Sequence, residues 1–190
     1  MKKSPKAKKL TDFLLILLIV FSLVTVIYFG SVSILKTLYP RRYIEFVEKY
    51  SQSNNLSEKF IFAVIECESG FDKDAVSYLG AEGLMQIMPE TFRWLQEKRG
   101  ESLPDESIFE PETAIDYGCY FYGMLLEQFE DEATAVAAYH AGANQVEKWL
   151  ADENYSDDGK TLKDIPYPST KKYVEKVMRV KEIYEKIYNK

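Results

Sequence analysis

The polarity pattern changes character three times along the chain. From Phe13 to Leu35 no residue is charged, and wound as a helix this run would reach roughly 35 Å, enough to cross a hydrocarbon core of about 30 Å. Tyr39-Pro40 then breaks the run. Ile44, Phe46, Val47 and Tyr50 recur at helical spacing, closed by the polar stretch Ser51-Gln52-Ser53-Asn54-Asn55. Ser57 reads as the cap of a helix over 58–69 whose centre, Phe60 to Ile65, is apolar on every face. Gly70, Gly80 and Gly83 punctuate a loop with room for one short strand pair. Pro89-Glu90-Thr91 opens a further helix carrying Phe92, Trp94 and Leu95. A turn at Phe109–Thr113 leads into a long helix ending near Phe129, two more follow near 132–139 and 143–150, then a polar, hairpin-like excursion at 152–163 and a last helix over 170–188. The expectation is one mostly α domain behind one spanning helix, with no internal repeat.

Charge sets the orientation of that helix. Lys2, Lys3, Lys6, Lys8 and Lys9 precede the apolar run, against Lys36, Arg41 and Arg42 behind it. The positive-inside rule therefore predicts a cytoplasmic basic tail at 1–12, a transmembrane helix at 13–35, a short linker at 36–42 and an extracytoplasmic domain at 43–190. The run is longer than the apolar part of a cleaved signal, and Gly30-Ser31-Val32-Ser33 is a poor cleavage site, so we read it as a retained single-pass anchor. Seven linker residues reach at most roughly 23 Å, which keeps the domain near the membrane.

The whole chain has net charge −6, and the part from Phe13 onward holds 19 basic against 29 acidic side chains, about −10. Such a surface argues against nucleic acid as a partner. Cys67 and Cys119 are the only cysteines; we read them as two unpaired thiols, a disulfide between them being the alternative in an exported domain. One histidine and scattered acids give no metal-ligand spacing, no glycine motif cradles a phosphate, and no cofactor is expected.

The candidate chemistry centres on a carboxylate at the end of an apolar helix. Glu68 follows Phe60–Ile65 and faces a loop in which Leu84, Met85, Ile87 and Met88 have still to pack, a setting that penalises the ionised form and suits a general acid. Glu66 stands about 200° away around the same helix and reads as solvated. Of the other acids near by, Asp72 and Asp74 lie in a polar turn beside Lys73 and read as ordinary surface charges, and neither they nor Glu82 is placed to serve as a second catalytic carboxylate.

Glu66-Cys67-Glu68-Ser69 followed by Gly80-Ala81-Glu82-Gly83-Leu84-Met85-Gln86-Ile87-Met88-Pro89 closely resembles the catalytic core of the soluble lytic transglycosylase family. The resemblance runs from about Tyr50 to Tyr188. It continues through Phe109-Glu110-Pro111-Glu112-Thr113, Ala137-Ala138-Tyr139-His140-Ala141-Gly142 and Ile165-Pro166-Tyr167-Pro168 with Tyr173-Val174. It implies a lysozyme-like helical fold and a peptidoglycan lytic transglycosylase that cuts between N-acetylmuramic acid and N-acetylglucosamine, leaving a 1,6-anhydro end. Glu68 would be the single catalytic acid and base. Ser77, Gln86, Met88 and Tyr139 would line the saccharide cleft, with His140 and Tyr173 at its wall. His140 departs from the family's usual asparagine, and Ser169 from its common glutamate. The alternatives are a muramidase of the same fold and a non-catalytic glycan-binding module. The glycan strand is the expected partner, and the sequence names no protein partner.

Overall fold

The computed structural model describes residues 5–188; Lys2 and Lys3 of the expected basic tail lie outside the described residues. Among those residues the chain forms eight α-helices and one short 3-10 turn, and it divides into two compact units at Pro40 and Arg41.

The first unit is one helix, α1 (Pro5–Leu38), which contains the uncharged run and extends beyond both its ends. Within it Phe13–Leu38 has mean hydropathy 2.8, and its large apolar side chains stand exposed, as a lipid-facing helix requires. The few hydroxyls return their protons to the helix itself: Ser22 Oγ donates to Ile19 O and Thr25 Oγ1 to Phe21 O, both at 2.8 Å.

The second unit is a helical domain of α2 (Ile44–Ser53), α3 (Glu58–Glu68), α4 (Pro89–Arg99), the 3-10 turn Asp105–Phe109, α5 (Pro111–Phe129), α6 (Glu132–Ala141), α7 (Ala143–Leu150) and α8 (Pro168–Ile187). Helix α3 is its axis. Phe60 to Ile65 are all buried, so α3 must be surrounded, and α8, α2 and α5 supply the walls. Phe62 stacks on Tyr184 of α8 at 5.7 Å between centroids, and Phe60 meets Tyr122 of α5 edge-on at 5.0 Å. Small residues let α6 approach closely: Ala135, Val136, Ala137 and Ala138 are fully buried.

Two glycines fix the loop between α3 and α4. Gly83 has φ +72, and a Cβ there would stand 2.5 Å from Ile108 O. Gly118 on α5 leaves space for Met85, whose Cβ lies 3.1 Å from where a Gly118 Cβ would be and whose thioether lies nearer still. The block Phe109–Gly118 thus supports the loop from behind.

Two local expectations need correction. The loop 70–88 forms no strand pair among the described residues, only isolated bridges of Glu82 with Val76 and Ile87, because its turns are too tight for a ladder. Ser57 does occupy the N-cap of α3, yet its side chain makes no capping bond; the capping side chain found is Asp131, which accepts from Thr134 N at 2.8 Å ahead of α6. On α4, Phe92 and Leu95 are buried while Trp94 is 39% exposed.

Candidate active site

Glu68 is the last residue of α3, where the helix meets the glycine loop. Ser69 ties that junction down: its hydroxyl lies 2.9 Å from Leu84 O and 3.2 Å from Ile65 O. Lys176 of α8 adds a second tie, donating from Nζ to Cys67 O at 2.9 Å and thereby satisfying a carbonyl of the last helical turn. The glutamate is therefore held from the loop side and from α8 at once.

Its carboxyl is half-buried, and Oε1 accepts a short hydrogen bond from the Tyr173 hydroxyl. Behind Tyr173 the Tyr122 hydroxyl lies 3.3 Å away, and the Tyr122 ring stacks on Tyr139 at 4.2 Å with 7° between planes. Tyr139 donates to Met85 O at 2.7 Å. The result is a wall of three tyrosines from three helices, two of them linked hydroxyl to hydroxyl and one pinning the loop. His140, next to Tyr139, lies over Tyr173 with centroids 4.7 Å apart, its Nδ1 3.0 Å from Thr170 Oγ1.

Burial raises the Glu68 pKa from 4.5 to about 7, working against the Tyr173 hydrogen bond and the Lys176 charge, both of which favour the carboxylate. A carboxyl poised there can give up a proton and take one back near neutral pH, which is the requirement for serving as acid and then as base. Neither thiol competes as a nucleophile: both cysteines are free, and desolvation pushes Cys67 to about 12 and Cys119 well above its ordinary value. Partial burial lowers the His140 imidazole below its usual value.

The structure joins Glu68, Tyr173, Tyr139 and His140 into one cluster. Ser77 and Gln86 are braces of the loop. The Ser77 hydroxyl accepts from Ala81 N at 2.9 Å, and Gln86, with φ 49, donates its side-chain amide to Gly83 O at 2.9 Å and Ala75 O at 3.1 Å. Met88 is half-buried at the N-cap of α4. Glu66 is not solvated as the helical wheel suggested. It is half-buried, and desolvation raises its pKa against the charges of Lys176 and Arg42, because α8 covers this side of α3 too. Asp72 and Asp74 are turn residues as expected, Asp74 pairing with Lys73 at 2.6 Å and Asp72 accepting from Asp74 N at 3.0 Å.

Sequence reasoning passed over Ser69, Tyr122, Thr170 and Lys176. Lys176 stands three residues after Tyr173, so the two share a helix face, a signal that was available. Tyr122 carried no such mark.

Residues 45–162 match the family model described as the transglycosylase SLT domain. Among curated proteins, the soluble lytic murein transglycosylase of Salmonella typhimurium is 30% identical over 156 residues, 79% of this chain and 24% of that protein. The membrane-bound lytic murein transglycosylase C of Haemophilus ducreyi is 33% identical over 119 residues, 57% of this chain and 32% of that one. The chain thus spans about a quarter to a third of the lengths of the curated relatives it matches. Among solved structures, an inactive glutamate-to-glutamine variant of lytic transglycosylase Slt from Pseudomonas aeruginosa superposes with TM-score 0.72 at 29% identity, over 82% of this chain and 26% of that one. The 70 kDa soluble lytic transglycosylase of Escherichia coli gives 0.73 at 24% identity, over 82% and 26%. The helical, lysozyme-like fold expected from the sequence is the fold of these neighbours.

Proposed function

Because this chain belongs to the transglycosylase SLT domain family, we propose that it is a peptidoglycan lytic transglycosylase, anchored by α1 and working with Glu68 as its single acid and base. The observation that carries this reading is the half-buried Glu68 carboxyl, raised to about 7 and bonded to Tyr173. Protonated Glu68 gives its proton to the glycosidic oxygen between N-acetylmuramic acid and N-acetylglucosamine as the bond from that oxygen to C1 breaks. The carboxylate left behind takes the proton of the muramyl 6-hydroxyl as O6 bonds to C1. That step closes the 1,6-anhydro ring, restores the acid and consumes no water.

The site's opposing influences match the two halves of this cycle. Burial favours the acid that opens it, while Tyr173 and Lys176 favour the carboxylate that closes it. Ser77, Gln86, Met88, Tyr139 and His140 contact the sugars in this reading, Gln86 through the side-chain oxygen opposite its bracing amide. Asp72 and Asp74 are engaged in their own turn, which speaks against a second carboxylate of the kind a muramidase needs.

The anchor reading rests on Phe13–Leu38, apolar enough to cross a membrane, and on the similarity to a protein described as membrane-bound. The amino-terminal lysines put the amino terminus in the cytoplasm and the catalytic unit outside. Lysis of purified peptidoglycan by wild type but not by folded Glu68→Gln supports the assignment; equal lysis by both refutes it. Protease added to wall-stripped cells should remove the catalytic unit, and its full protection would reverse the orientation.

A further inference from the structure

Three cations of α8 stand without an acid. Lys171 pairs with Asp164 at 2.6 Å, Lys181 with Glu132 at 2.5 Å and Lys186 with Glu182 at 3.4 Å. Lys172, Lys176 and Arg179, all exposed, form no ion pair among the described residues. They fall within about 60° of arc around the helix, so they make one stripe. Arg41 and Arg42, equally without an ion pair, extend it from the start of the domain. Arg42 and Lys176 both act on Glu66, Lys176 and Arg179 both act on Cys67, and the Arg41 guanidinium lies 4.5 Å over the Tyr188 ring where α8 ends. The acid they surround, Glu66, is half-buried, and desolvation disfavours its charge.

This patch reverses the charge of its surroundings, since the chain from Phe13 onward holds 19 basic against 29 acidic side chains. Chain length names what covers it. Helix α1 ends at Leu38, and Arg41 and Arg42 follow three and four residues later. However the two units are turned, extended backbone keeps these two residues within roughly 10–14 Å of the end of α1. An anionic bilayer attracts cations over a comparable distance, about 8–10 Å at ordinary salt.

We infer that Arg41, Arg42, Lys172, Lys176 and Arg179 seat the catalytic unit on the anionic phospholipid surface of the membrane that α1 crosses. This goes beyond the proposed function and rests on its anchor reading. Guanidinium forks and ammonium groups match phosphate oxygens, and the acidic remainder of the unit is repelled by the same surface, so one orientation is selected. Lys176 is tied to Cys67 O, so that orientation keeps the end of α3 that carries Glu68 close to the bilayer.

The test places the full chain in nanodiscs of phosphatidylcholine alone or mixed with phosphatidylglycerol. Lysines are acylated to low extent by a water-soluble reagent, and each rate is read by mass spectrometry. Exposed Lys148 and Lys160, on α7 and in the following loop, serve as references. We expect the anionic lipid to slow Lys172 and Lys176 relative to the references by at least about fivefold, the contribution typical of one cation at such a surface. The slowing should vanish in 1 M NaCl, where screening acts within about 3 Å. It should also be largely lost when Arg42→Gln and Arg179→Gln are combined, with thermal unfolding confirming that this variant is folded. Equal rates in the two kinds of disc overturn the inference and leave the anchor intact, as does slowing that survives salt or the double variant. Slowing by soluble polyphosphate in neutral discs, without slowing by anionic lipid, overturns it in favour of a soluble polyanion. A chain that does not enter the discs through α1 counts against the anchor and the seating together.

Discussion

Replacing Glu68 by Gln should stabilise the catalytic unit, and only above acid pH. The carboxyl titrates at about 7 in the fold against an ordinary 4.5, so ionising it costs more there than in the unfolded chain. At 1.36 kcal/mol per pH unit the difference amounts to at most about 3 kcal/mol. The side chain is only half-buried and Gln keeps an acceptor for Tyr173, so about 1–2 kcal/mol is the reasonable expectation. Below pH 4.5 both states hold the proton and the two proteins should be equally stable on this account. Between 4.5 and 7 the unfolded wild type ionises first, wild type loses ground, and above 7 the gap is constant. Thermal unfolding of residues 41–190 at pH 4 and pH 8 reads this directly. Glu68→Gln should melt higher by roughly 2–8 °C at pH 8 and at nearly the same temperature as wild type at pH 4. An equal difference at both pH values, or a less stable variant at pH 8, would refute the claim that burial controls this carboxyl.

Lytic activity should fall as pH rises through about 7, where Glu68 loses the proton it must donate; a wild-type profile flat from pH 5 to 9 contradicts this. Tyr173→Phe removes a hydrogen bond that favours the carboxylate, so its alkaline limb should move to higher pH while the maximal rate drops; an unmoved limb would separate Tyr173 from the acid. Lys176→Met should shift the same limb upward by a smaller amount, with Lys176→Arg close to wild type, since charge and the tie to Cys67 O are then kept. Gly118→Ala forces Met85 off its seat and should cost about 1–3 kcal/mol, seen as a lower melting temperature with an altered loop; a neutral result would show that the loop moves freely there.

Much of this was legible because it is written locally. An uncharged run makes α1, six consecutive apolar residues make a buried α3, and Glu68, three residues after them at the end of the same helix, inherits a desolvated position. The contents of the cluster were less accessible. Tyr173 stands 105 residues from Glu68 and Tyr122 stands 51 from Tyr173, and no periodicity spans such gaps. Glu66 shows the same limit in reverse. The helical wheel places it away from Glu68 correctly, but cannot say that α8 covers that side. For Ser77 and Gln86 the family pattern marks the residues, while the packing of a tight loop decides that the Ser77 hydroxyl accepts, and the Gln86 amide donates, within the loop itself.

The central claim, that O6 of the sugar rather than water takes the place of the leaving group, is tested most directly by mass spectrometry of the muropeptides released from purified peptidoglycan. The account predicts products one water lighter than those of a muramidase and unchanged by borohydride. Products of hydrolysed mass that borohydride reduces would contradict it and make the protein a hydrolase.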